Sequence, residues 1–222
     1  MMTNLFSTFD PSTSMYYSMN WNSTFIILIL FPYSFWLINS RYSKMIEMIY
    51  TSLHKEFKML LGHSQGLTLM MTSMFFLILI NNLMGLLPYI FTSSSHLVFS
   101  MTMSIPMWLS IMLFGWIKKT QHMFSHLIPV GTPPLLMPFM VCIETISNII
   151  RPGSLAVRLT ANMIAGHLIM SLLGNSSASQ NSIIIVIIVG VQMMLMLFET
   201  AVAIIQAYVF SVLTTLYSSE VN

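Results

Sequence analysis

Charge is what this sequence has least of. Its 222 residues include eight Lys and Arg and six Asp and Glu, 6% of the chain, against 56% hydrophobic residues. A soluble domain carries roughly 25% charged residues. Fourteen ionised side chains cannot keep a surface of this size dispersed in water, so a soluble fold is excluded and a lipid environment is implied. Cysteine is nearly absent too. One residue, Cys142, excludes an internal disulfide and any thiol-built metal cluster; lying in an apolar stretch, it reads as a small buried side chain. The net charge of +2, with no interleaving of aromatic and basic residues, gives no footprint for nucleic acid. No glycine-rich phosphate loop is present, so no nucleotide is expected on this chain. Lys and Arg are missing before Arg41, so neither a secretory leader nor an arginine-rich transit peptide is expected there. Internal repeats, which a stand-alone secondary transporter usually shows, are also lacking.

What the chain has instead is apolar length. Mean hydropathy is +0.81. The 23 methionines are read as flexible apolar filler under the coding bias of an organelle genome. Three segments are expected to cross the bilayer early in the chain, at 17–39, 67–91 and 97–117. The first is short in apolar residues, begins in earnest at Thr24 and contains Pro32. Between the first two, Arg41, Lys44, Glu47, Lys55, Glu56 and Lys58 alternate at helical spacing with Met45, Ile46, Met48, Ile49, Leu53 and Phe57. That pattern predicts an amphipathic helix over 42–60, lying along the membrane surface. Ser93 to His96 is the expected turn between spans two and three. Pro129, Pro133, Pro134 and Pro138 mark a break and restart.

Two long segments follow, 133–173 and 181–217, with a turn expected at Gly174 to Ser177. Each exceeds the roughly 20 residues of a perpendicular span. Steep tilt or a split, for instance at Arg151-Pro152-Gly153, would accommodate them. Basic residues cluster after span one and at Lys118 and Lys119 after span three. Both clusters face the cytoplasm-like side if five spans are made, with the N-terminus on the opposite side. The fold class is therefore an all-α integral membrane protein: five transmembrane helices plus one interfacial helix.

The two long segments also carry Glu144, Arg151, Arg158, His167 and Glu199. A charge at the bilayer centre costs about 2.5–3.5 kcal/mol on insertion scales, so such groups face a protein interior or an aqueous cavity by default. Glu144, Ser147, Arg151 and Arg158 return to nearly one helical face, and Asn162 lies one turn beyond Arg158. His167 sits on roughly the opposite side, about 13 Å further along the axis. Gln192, Glu199 and Gln206 step by seven, making one polar stripe with spacings of about 10 Å. His54, His63, His96, His122 and His126 fall in loops or interfaces and read as ordinary solvated or hydrogen-bonded histidines. His122 and His126, without a nearby acid, make a poor metal site. No metal or cofactor is expected.

The joint set has a family resemblance. Arg151-Pro-Gly-Ser-Leu-Ala-Val-Arg158-Leu-Thr-Ala-Asn162-Met-Ile-Ala-Gly166-His167 resembles the signature of the subunit a family of rotary ATP synthases. So do Glu199-Thr-Ala-Val-Ala-Ile-Ile-Gln206-Ala-Tyr-Val-Phe and Glu144-Thr-Ile-Ser-Asn-Ile-Ile-Arg-Pro. The N-terminal pattern and the ending Ser-Ser-Glu-Val-Asn are similar to arthropod mitochondrial members. The resemblance implies a multi-pass protein of the mitochondrial inner membrane, with two long tilted helices at its end. It implies a stator that loads and unloads protons on the carboxylates of a c-ring, beside a peripheral stalk and other membrane-sector subunits, with no catalytic site of its own. It implies that Arg158 faces the ring and blocks direct leak. It further implies that His167, Glu199, Asn162 and Gln206 belong to an outer half-channel, and Glu144, with Ser147 and Asn148, to a matrix half-channel. A quinone-linked respiratory subunit would share the composition and the intramembrane charges; proton flux measured with and without ring and catalytic head separates the two.

Overall fold

The computed structural model describes residues 5–13, 16–32, 38–62, 66–128, 133–177 and 181–221. Residues 33–37 of the first expected span, His63 and Pro129 lie outside them. Among the described residues the fold is all helix. Its α-helices are α1 (Ile26–Leu30), α2 (Arg41–Leu61), α3 (Leu67–Gly85), α4 (Leu97–Lys118), α5 (Thr120–His126), α6 (Met137–Ser177) and α7 (Ser182–Val221). Short 3-10 turns cover Leu5–Phe9, Met19–Phe25 and Ser93–Ser95. Four helices, α3, α4, α6 and α7, are long and apolar enough to cross a membrane. At 1.5 Å per residue, α6 and α7 each extend about 60 Å, twice the roughly 30 Å hydrocarbon core, so they lie steeply tilted if embedded.

The first expected span takes a different form. Met19–Phe25 is 3-10 and only Ile26–Leu30 is α-helical, ending at Phe31 with extended backbone (ψ 121°). Phe31 precedes Pro32, whose ring disfavours helical geometry in the residue before it. The second expected span also stops early, at Gly85 instead of residue 91. A Cβ on Gly85 would sit 3.1 Å from the Thr92 methyl, so the chain folds back tightly here. Pro88 cannot continue the helical hydrogen bonding, and Tyr89 adopts a positive φ of 67°. At the other end, the turn expected at Gly174 to Ser177 is helical. Ser176 and Ser177 donate to the carbonyls of Leu173 and Gly174 (2.8 and 2.7 Å), satisfying their hydroxyls inside the helix. Helix α6 runs unbroken through Pro152, which is buried against its neighbours.

The core sits between α2, α3, α4, α6 and α7. Phe57, Met71 and Ile78 are fully buried in it, with Leu53, Phe75, Met107, Leu155, Leu159 and Phe210 around them. Leu53, Phe57 and Leu61 form the buried stripe of α2, while Met45, Met48 and Met59 on other faces stay exposed. The Ser40 hydroxyl caps α2 by accepting from the Ser43 N–H at 3.3 Å. Tyr208 Oη donates to Glu56 Oε2 at 3.4 Å, a polar link from α7 to α2. The N-terminal half of α7, from Ile183 to Phe198, exposes large apolar side chains on nearly every side. Lipid or neighbouring protein must cover it.

Candidate functional site

Helices α6 and α7 run antiparallel, and the seven-residue stripe on α7 fixes what meets across them. Gly174 of α6 faces the Gln192 side chain, with 3.5 Å between its Cβ position and Nε2. Gly166 faces the Glu199 carboxylate, which rests directly on the glycine backbone. Arg158 and Gln206 line one crevice with Leu155 and Phe210. Arg151 reaches Glu220. Gln192, Glu199, Gln206 and Glu220 of α7 therefore meet Gly174, Gly166, Arg158 and Arg151 of α6 along one seam, read in opposite directions.

A cavity of about 570 Å³ lies beside His167 of α6. Its wall is built from Ser7 to Asp10, the turn from Leu86 to Thr92, and His167, Met170 and Met196. His167 is half-buried at its floor. Its ring lies beside the Gly85 backbone and meets Phe9 edge-on, centroids 6.2 Å apart. Nε2 is buried with no hydrogen-bond partner among the described residues. Glu199 comes against Gly166, the residue before His167, yet no hydrogen bond joins the two side chains among the described residues. The cavity is roomy enough to hold water along the His167 side chain, while Nε2 itself is turned away into the protein.

Arg158 lies between the two ends. It is exposed, and among the described residues it forms no ion pair and no hydrogen bond. A buried pair with Glu199 is not formed. On the same exposed face of α6 are small side chains: Ser154, Ala161 and Ala165. Asn162, one turn away, is half-buried. At 1.5 Å per residue, Arg158 stands about 13 Å from His167 and about 21 Å from Glu144 along α6.

The opposite end of the seam is an ionic cluster. Arg151 Nη1 donates to Glu220 Oε2 at 2.5 Å, Nη2 lies 3.7 Å from Glu144 Oε1, and the guanidinium stands 4.9 Å over the Tyr217 ring. All three charged side chains remain partly exposed. Ser147 donates to the Glu144 carbonyl at 2.8 Å, and Asn148 is half-buried beside it. Glu220 is the residue that sequence reasoning missed, although it continues the seven-step stripe of Gln192, Glu199 and Gln206 two steps further on.

Other residues depart from expectation. Cys142 is exposed, not buried, because the first third of α6 turns apolar side chains outward on most faces. His96 is packed between Trp21 and Phe91, each 5.2 Å away, with Nε2 buried and unpartnered among the described residues. His122 and His126 stay exposed, ring centroids 6.3 Å apart. No cluster of metal-ligating residues occurs among the described residues.

The chain is similar to known proteins over its full length. A profile of the ATP synthase A chain family matches residues 17–219. The chain is 62% identical to ATP synthase subunit a of Anopheles quadrimaculatus and 60% identical to that of Drosophila melanogaster, over the whole of each chain. It is 62% identical to ATP synthase subunit a of Aedes albopictus, again over full length.

Proposed function

Because the chain belongs to the ATP synthase A chain family, we propose that it is the proton-conducting stator of a rotary ATP synthase in the mitochondrial inner membrane, working against a ring of partner subunits that each carry a carboxylate. The cavity ending at His167, with Glu199 beside it, is the outer half-channel. The cluster of Glu144, Arg151 and Glu220, with Ser147 and Asn148, is the matrix half-channel. Asn162 and Gln206 are the polar neighbours of Arg158 between them. Five crossings are made, the first by 17–39, and the basic residues of α2 and the α4 terminus face the matrix. A peripheral stalk and other membrane-sector subunits hold the chain still while the ring turns.

One observation carries this reading: an exposed, unpaired Arg158 midway between two half-channel ends. An uncompensated charge there costs about 2.5–3.5 kcal/mol in a bilayer. A partner helix bearing a carboxylate removes that cost, and Ser154, Ala161 and Ala165 let its backbone come close. The guanidinium favours the ionised carboxylate by opposite charge, so a ring site gives up its proton before passing. It also repels protons that would cross directly. Arginine suits the position because it stays protonated when desolvated, whereas lysine readily loses its proton. Each charge moved through 100 mV releases about 2.3 kcal/mol, which a direct leak would dissipate.

The test is Arg158→Ala in the assembled complex. ATP synthesis is expected to stop while a passive proton leak appears, and Arg158→Lys is expected to fail in synthesis as well. An assembled Arg158→Ala complex with normal, tightly coupled synthesis would falsify the reading. A crosslink from the exposed face of α6 to a small partner with a buried carboxylate tests the ring contact independently.

A further inference from the structure

The chain contains a single aspartate, and it lines the cavity that ends at His167. Asp10 follows Phe9, the ring that packs edge-on against the His167 imidazole. Its position is held by the local fold. The Asp10 Oδ1 atom accepts from the Ser12 backbone N–H at 3.1 Å and from the Ser12 hydroxyl at 2.8 Å. The Asn20 amide donates to the Asp10 carbonyl at 3.2 Å, tying the segment to the turn Met19–Phe25. Tyr89 and His167 are the other titratable groups on the cavity wall, and no lysine or arginine is among its lining residues. The two Ser12 bonds favour the ionised carboxylate and hold its pKa below the ordinary aspartate value.

We infer that Asp10 is the proton-collecting charge of the outer half-channel: a fixed carboxylate at the cavity mouth that raises the proton concentration His167 meets. This rests on the half-channel reading above. The physics is electrostatic focusing. A unit charge about 10 Å away in water changes a local cation concentration about twofold, and a cleft with low-dielectric walls strengthens the effect. An aspartate is ionised at neutral pH and the Ser12 bonds favour that form further, so it attracts protons without retaining them.

The experiment uses the whole complex in liposomes, with an acid–base transition that steps the pH of the compartment facing Asp10. At about 10 mM salt, where the screening length is about 30 Å, Asp10→Asn should need about twofold more protons for half-maximal ATP synthesis. Asp10→Glu should restore the original titration. At 1 M salt, with a screening length of about 3 Å, the shift should vanish. A low-salt titration unaltered by Asp10→Asn overturns the proposal. So does a shift that persists undiminished at 1 M, since a packing defect is not screened. Arg158→Ala run in parallel keeps the two readings apart: if it makes ATP, the half-channel reading fails, whereas a dead Arg158→Ala with an unaltered Asp10→Asn removes only the role of Asp10.

Discussion

The Glu199 carboxylate of α7 lies directly on the backbone of Gly166 in α6, in the space a β-carbon would occupy. The contact sets the carboxylate one residue from His167. Gly166→Ala is expected to leave the subunit assembled, because the obstructing atoms are the free end of a flexible side chain. It should push Glu199 away from its place, and misplacement by about 1 Å can cost on the order of 100-fold in rate. Proton-driven ATP synthesis by an assembled Gly166→Ala complex checks this; an unaltered rate would mean the close contact has no part in conduction.

His167 and Glu199 are expected to serve one path. His167→Ala and Glu199→Gln should each slow proton uptake from the outer side. Groups sharing one route do not add, so the double variant should lose less than the two single losses combined. The measurement is proton flux into the complex from that side. Independent, fully additive losses would place the two side chains on separate routes.

Arg151 has two counter-charges, Glu220 at 2.5 Å and Glu144 at 3.7 Å, and the three side chains are 23%, 40% and 32% exposed respectively. Partly exposed pairs contribute roughly 1 kcal/mol or less. Glu220→Gln and Glu144→Gln should therefore each assemble, and each should slow proton release to the matrix. Removing both strands the guanidinium, so the double variant should fall in steady-state level more than the singles together. Subunit abundance in isolated membranes reads this out, and equal abundance in all three variants would reject the shared cluster.

The five crossings proposed above would put the termini on opposite sides, the N-terminus and the turn Ser93–Ser95 outward and the end of α7 toward the matrix. Tags at each end should differ in protease protection in intact inner membranes. Protection of both tags from the same side would leave only an even number of crossings, and 17–39 would then be a surface segment.

The uncharged run from Leu67 to Ile117 made α3 and α4 legible, because only a membrane helix can use so many apolar residues without a single ionised one. The long α6 and α7 were legible by length and by the family resemblance, while proline chemistry at Pro152 pointed equally to a split. Proline logic held where the preceding residue could yield, at Phe31, and not inside α6, where neighbouring helices bury the ring. The seam was half legible. Its stripe of Gln192, Glu199 and Gln206 follows from a seven-residue step, but the glycines receiving it carry no polar signal. Glu220 was hidden by its place at the very end of the stripe. The outer cavity was not legible at all, since it joins Ser7 to Asp10, Leu86 to Thr92 and His167 across distances in the chain that no periodicity connects.

The opposed reading of α6 and α7 also governs how such a chain can change in length. One residue inserted between Gln192 and Glu220 would turn everything beyond it by about 100° and advance it about 1.5 Å. Every later partner on the seam would then be lost at once, for an insertion after Gln192 from Gly166 and Glu199 to Arg151 and Glu220. Substitutions can be absorbed one contact at a time; insertions and deletions in these helices cannot. The alignments to the Anopheles and Drosophila relatives span 226 and 224 positions against 222 residues here. The gaps they require are expected to fall in the connections, leaving the two helices as an uninterrupted ruler.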